Sequence, residues 1–289
     1  FGLYNKQRDV DYLRTSVLLP QAVYMENLRE FLVAIQGIEL YGNIDFSKFG
    51  YLDYELFVGT LDMDANSGYI NNSFGLMRID FLGRGLNLDA VMQAAQVSLS
   101  ELEVTFQHLE GFGAVWSITP ELRVGQTWMQ AMITAVIEGF IDTEIKLAQM
   151  SVSSIEYDKG PLTLAYEYLL LRTDSIDTLF EATEFETEGW YAGFSWQFTG
   201  NLSVAISYGE SFSLGGEGKA GFFTSKGLPD YLAWQKEFTY SVSYEVTENS
   251  LIKAEVKRIH GVGLSLPFEI NIVPKDSWSL YSVKASIAF

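Results

Sequence analysis

At 289 residues the chain is long enough for one large barrel or two small domains. Acidic residues outnumber basic ones 37 to 19, and the formal charge of -18 excludes the basic surface that nucleic-acid binding needs. With no cysteine there is neither a disulfide framework nor a thiolate metal site, and no apolar run reaches the ~18–20 residues of a transmembrane helix.

Residues 1–5 read as the outgoing end of a strand. Phe1 is not an initiator, so the sequence reads as a mature or truncated form. Lys6 to Glu30 follows, too long for a tight turn and mixed in charge: Lys6, Arg8 and Arg14 stand beside Asp9 and Asp11, and Arg29 beside Glu26 and Glu30. Loops of this length are commonly functional. Phe31–Gly42 is expected to be a strand, Asn43–Gly50 a turn, and Tyr51–Leu61 a strand with Leu52, Tyr54, Leu56 and Val58 on its apolar face. From Asp62 to Glu110 the alternation fails, although Leu88–Leu102 has the spacing of an amphipathic helix.

From Gly111 onward the period is two. Phe112, Ala114, Trp116 and Ile118 lead to a turn at Pro120, and Leu122, Val124 and Trp128 lead away. A loop is expected over Thr134–Ala148. Hairpin turns then fall at Asp158–Gly160, Thr199–Asn201 and Glu248–Asn249. An acidic loop is expected over Arg172–Thr187, a Gly-rich one up to Tyr231, and another over Ile259–Asp276. The last strand alternates Tyr281, Val283, Ala285, Ile287 and Phe289 against Ser282, Lys284 and Ser286. Tight turns alternate with longer loops, about twelve strands are visible, and aromatics (16 Tyr, 20 Phe) are plentiful enough for interfacial girdles. The fold class expected is all-β: a transmembrane antiparallel β-barrel forming one domain over residues 1–289. It is preferred to a soluble sandwich or a solenoid, because the units share no signature beyond alternation.

The segments G-L-Y-N-K-Q-R-D-V, T-S-V-L-L-P-Q-A-V-Y and I-E-L-Y-G, with L-I-K-A-E-V-K-R-I-H-G and the C-terminal S-W-S-L-Y-S-V-K-A-S-I-A-F, resemble the phosphate-selective-porin-like family of Gram-negative outer-membrane porins. That resemblance implies a 16-stranded barrel, often trimeric, with an inward-folded loop narrowing the pore. It places that loop at Lys6–Glu30, so Lys6, Arg8, Asp9, Asp11, Arg14, Glu26 and Arg29 are the candidate constriction. In that family several strands precede the G-L-Y-N segment, so an N-terminal quarter is expected to be missing. A phosphate pore needs a basic ladder, and this acidic chain is not expected to be phosphate-specific.

Charges sharing the polar faces of strands should point into a wet lumen, because each would cost roughly 2–4 kcal/mol at mid-bilayer. These are Arg123, Glu167, Glu245, Lys253, Glu255, Lys257 and Lys284. They either tune ion selectivity or pair with one another and brace the wall. The acidic loop (Asp174, Asp177, Glu181, Glu184, Glu186, Glu188) reads as a surface loop. Its carboxylates also suit Ca²⁺ or Mg²⁺ bridging lipopolysaccharide, but they lack EF-hand spacing. Most of the six Trp sit on apolar faces or near strand ends, which favours a girdle. No enzyme motif, cofactor or metal site is read. His260 with a serine and an acid is the distant hydrolase alternative. The expected function is an outer-membrane porin passing small polar solutes and ions, a homotrimer in contact with bilayer and lipopolysaccharide. The alternative is a structural barrel whose lumen holds a periplasmic or surface partner.

Overall fold

The computed structural model describes residues 14–24, 36–63, 103–137, 141–177, 183–212, 224, 229–262 and 275–287. Among them are eleven strands: β1 (Gln36–Asp45), β2 (Tyr51–Met63), β3 (Glu103–Ser117), β4 (Leu122–Ile137), β5 (Ile141–Lys159), β6 (Leu162–Asp177), β7 (Thr183–Thr199), β8 (Leu202–Phe212), β9 (Trp234–Thr247), β10 (Ser250–Gly261) and β11 (Ser277–Ile287). All eleven belong to one sheet in strict chain order, and every neighbouring pair is antiparallel. The chain is an all-β meander. The expected stub at residues 1–5 lies outside the described residues, as do the helix expected over Leu88–Leu102 and the Gly-rich loop before Lys226. Of the strand expected over Phe31–Gly42, residues 31–35 lie outside the described residues, and the strand described there is Gln36–Asp45.

Two expected loops are strand instead. Over Thr134–Ala148, β4 runs on to Ile137 and β5 starts at Ile141, the two pairing up to Ile137↔Ile141. Over Arg172–Thr187, β6 runs to Asp177 and β7 starts at Thr183. Over Thr134–Ala148 the period-two pattern fails for a physical reason, whereas the β6–β7 register runs without a shift. Register shifts fall between Gln107/Glu110, Ala131/Ile133 and Ile145/Leu147, and a bulge moves every following side chain to the other face. His108 sits inside the first of these with φ of 52°.

The two faces of the sheet differ in kind. One carries Leu164, Tyr166, Trp196, Ile206, Tyr240, Val242 and Ile252, all exposed and apolar. Its rings form a chain across β6–β9: Tyr166–Trp190, Trp190–Tyr208, Tyr208–Phe238 and Phe238–Tyr240, with centroids 5.3–6.1 Å apart. Polar pairs bound this face on the side away from the tight turns. They are Glu110 with Gln130, Arg172 with Glu186 (2.8 Å), Lys236 with Glu210 (3.3 Å) and His260 with Ser277 (3.0 Å). Between the turn and Arg172, β6 presents only Leu162, Leu164, Tyr166, Tyr168 and Leu170 outward. Nine residues tilted by ~45° rise roughly 20 Å. Of the tryptophans, Trp278 pairs with Ile259, whose side chain is buried on the opposite face, and so departs from the girdle.

The opposite face mixes an apolar cluster with polar residues: Thr127, Ser154, Glu167, Ser211, Glu237, Thr239, Ser241, Lys253, Glu255 and Lys257 are buried there. They are buried because residues 14–24 lie across them as a strap. Val23, Tyr24 and Leu19 of the strap pack with Met129 of β4, Met150 and Val152 of β5, Leu169 of β6 and Tyr191 of β7, and Phe57 of β2 closes on the same cluster. One short segment thus meets strands from β2 to β10, so the sheet curls around it.

The turns explain two glycines. After β1, Gly50 adopts φ of 87° and closes a one-turn 3-10 helix, and a Cβ there would collide with the Ser117 carbonyl. Gly160 has φ of 60° with open space around it. Gly50→Ala is expected to lower the unfolding midpoint by more than 1 kcal/mol of stability, whereas Gly160→Asn is expected to change it little, since Asn tolerates this conformation. Paired denaturant titrations in detergent would check both.

Candidate functional site

The strap is irregular backbone laid on a wall, so its amides and carbonyls have no ladder to join. The wall supplies the partners from β9 and β10. The Val17 N–H donates to Glu255 Oε2 at 2.8 Å, the Leu18 N–H to the same oxygen at 3.4 Å, and the Gln21 N–H to Glu237 Oε1 at 3.1 Å. The ammoniums take the carbonyls: Lys253 Nζ donates to Arg14 O (2.7 Å) and Ser16 O (3.2 Å), and Lys257 Nζ to Leu19 O (3.2 Å). Lys257 also pairs with Glu237 at 3.2 Å, both side chains almost wholly covered. Ser241 adds a 2.9 Å bond to the same Glu255 Oε2, while Glu255 Oε1 and Glu237 Oε2 are buried without a partner.

At its far end the strap turns at Pro20, whose carbonyl accepts from the Val23 and Tyr24 N–H groups. The Tyr24 hydroxyl then donates to Glu167 Oε2, an oxygen shared with the Tyr191 hydroxyl at 2.9 Å, while Ser154 Oγ reaches Oε1 at 2.6 Å. Ala22 sits over Gly189 and Gly209. A Cβ on Gly189 would strike the Ala22 carbonyl, and one on Gly209 would stand 3.0 Å from the Ala22 Cβ. Glycine at these positions is therefore a condition for close approach of the strap.

Of the seven candidate constriction residues, Arg14 lies in the strap, half-buried, and donates to Val17 O at 3.2 Å. Lys6, Arg8, Asp9, Asp11, Glu26 and Arg29 lie outside the described residues. Of the seven candidate lumen residues, Glu167, Lys253, Glu255 and Lys257 are 1–3% exposed under the strap. They lie on the face opposite the aromatic one, where they brace the strap instead of meeting water. Arg123 is bound to Glu156 of the adjacent strand. Glu245 is exposed near the end of β9, and Lys284 is half-buried opposite Lys253. The acidic-loop residues Asp174, Asp177 and Glu184 fall on β6 and β7, Glu186 pairs with Arg172, and Glu181 lies outside the described residues.

Reasoning from sequence missed Glu237, Tyr24, Tyr191 and the glycine seat. Glu237 carried a signal, alternating with Gln235 and Thr239 in β9; Gly189 and Gly209 carried none until the register was known. Acidic residues remain accessible on the inner face beside the strap, along with the half-buried Lys284: Glu39 of β1 and Asp53 and Glu55 of β2 lie on the side of Phe57 and are exposed or half-buried. No group of three or more His, Cys, Asp or Glu able to hold a metal occurs among the described residues.

No family model and no curated protein matches the chain. Solved structures do. The in-vitro folded OmpT, an outer membrane protein of Vibrio cholerae, aligns at TM-score 0.45 and 9% identity, over 88% of this chain and 89% of that one. The anion-selective porin from Comamonas acidovorans aligns at 0.41 and 12%, over 79% and 67%. The Pseudomonas putida toluene transporter TodX aligns at 0.40 and 10%, over 88% and 73%. Likeness at these scores says nothing of what this chain carries.

Gly189→Val is expected to unseat the strap without breaking the β7–β8 ladder. Trypsin should then cut at Arg14 at least ten-fold faster than in the parent protein, while heat-modifiable migration on gels is retained. Glu237→Gln keeps the acceptor for Gln21 but leaves Lys257 buried without its counter-charge, which typically costs about 3–5 kcal/mol, and a lowered unfolding midpoint would register it.

Proposed function

We propose that the chain forms a channel of the Gram-negative outer membrane, a porin-type barrel that lets small polar solutes and ions diffuse passively. The observation that carries this is the division of one curled sheet into two faces: an apolar, aromatic-chained outer face roughly 20 Å high, and a polar inner face crossed by a strap. A soluble protein would have to cover the outer face, since exposed apolar patches of this extent are otherwise found at interfaces. Lipid covers it in a barrel, whose closure also satisfies the edges that β1 and β11 present. The trimer implied by the resemblance belongs to this reading, as does contact with lipopolysaccharide.

The strap serves as the constriction, and the accessible charge decides the ion preference. The lysines that would favour anions, Lys253 and Lys257, are 1% exposed and held by strap carbonyls. Permeating ions meet Glu39, Asp53 and Glu55 instead, which gives a cation-preferring channel that is not phosphate-specific.

Single-channel recording in a planar bilayer tests this. Steady current with a cation-selective reversal potential under a KCl gradient is expected. The double variant Asp53→Asn, Glu55→Gln is expected to move that potential toward zero with little change in conductance. Correctly folded protein without current would rule the channel out. The outer face has its own test: Val242→Arg should impair folding into lipid vesicles by roughly 2–4 kcal/mol, whereas Ser243→Ala on the inner face should not.

A further inference from the structure

The strap does not seal the wall along its whole length. Between it and the inner face of β6–β9 lies a half-enclosed slot of about 50 Å³. Small residues, Gly193 and Ala205, line it. Its floor is a row of hydroxyls from four successive strands: Thr163, Ser195, Ser207 and Thr239. Its roof is apolar, formed by Leu18 and Pro20.

Thr239 is the decisive residue. Its side chain is 4% exposed and lines the slot, yet its Oγ1 has no hydrogen-bond partner. A buried hydroxyl without a partner costs free energy, so its presence calls for something that enters the slot and bonds to it. Ser195 is different: its Oγ is already 3.1 Å from the Thr15 hydroxyl of the strap.

We infer that this slot is a binding subsite for a small neutral polyol, or for the hydroxymethyl end of a sugar. Hydroxyls both donate and accept, so a row of them matches a ligand of the same kind along one edge. The Leu18–Pro20 roof matches the C–H face of such a ligand. Charged ligands are disfavoured. Lys257 lines the slot, but its charge is already neutralised by Glu237 at 3.2 Å, so an ion entering there would be buried without a counter-charge. The subsite rests on the reading of the inner face as the solute path, and adds to it a place where a neutral solute pauses while ions pass along the acidic wall of β1 and β2.

The test is a titration of full-length protein in detergent micelles with glycerol, following the methyl signals of alanine-labelled Ala165 and Ala205, both of which line the slot. A saturable shift with a midpoint in the millimolar range is expected, with no saturable shift from tetramethylammonium chloride. Thr239→Val keeps the shape and removes the hydroxyl, and should raise the midpoint about five-fold, the worth of one hydrogen bond of ~1 kcal/mol. Ser207→Ala, a milder change, should act in the same direction if Thr239→Val folds poorly. Shifts that rise linearly with glycerol, or a midpoint unmoved by both variants, would mean that the slot holds water only and overturn the subsite. Single-channel current separates the two readings: saturation without current leaves the subsite and removes the channel, and current without saturation does the reverse.

Discussion

A stretch of irregular backbone can lie inside a protein only if each of its amides and carbonyls finds a partner, and here the partners are charges. Glu237 and Glu255 take the N–H groups of the strap, and Lys253 and Lys257 take its carbonyls. The four alternate along two neighbouring strands, so their charges also cancel at short range. Everything else on the inner face follows from this. Small residues make room for the strap, Gly189 and Gly209 let Ala22 approach the wall, and Tyr24 and Tyr191 bind Glu167 at the far end.

The same arrangement changes what the sequence charge means. A residue on the polar face of a barrel strand is easily taken as lining a wet pore. In β10 the face is right and the environment is not, because Lys253, Glu255 and Lys257 are covered. The charge that solvent meets comes from residues whose faces have no strap over them. Counting charges along a strand therefore gives the sign of the lumen only after the covered ones are removed.

Strand identity was legible wherever one face meets apolar surroundings and the other polar ones without interruption, as in β6 from Leu162 to Leu170, in β7 from Trp190, in β8, in β10 up to Arg258 and in β11. It was illegible past Ala131, Ile145 and Gln107, because a bulge inverts the alternation that identifies a strand, and the residues beyond it read as loop. The inward direction of Glu167, Lys253 and Glu255 was legible from period two. Their burial was not, because it depends on a segment 143 residues from Glu167 and 238 or 239 from Glu255 and Lys253. The resemblance carried by T-S-V-L-L-P-Q-A-V-Y implied an inward-folded loop, but not which strands would hold it.

That separation has a consequence for assembly. Among the described residues every strand pairs with its immediate neighbours in sequence, so the sheet can grow strand by strand. The strap is the exception: Val17 waits for Glu255, a separation of 238 residues. A segment that precedes β1 in the chain therefore docks among the last, since its acceptors exist only once β9 and β10 have paired. Until then its backbone must stay hydrated, so the growing sheet has to remain accessible to water on the inside while its outside is already committed to an apolar medium.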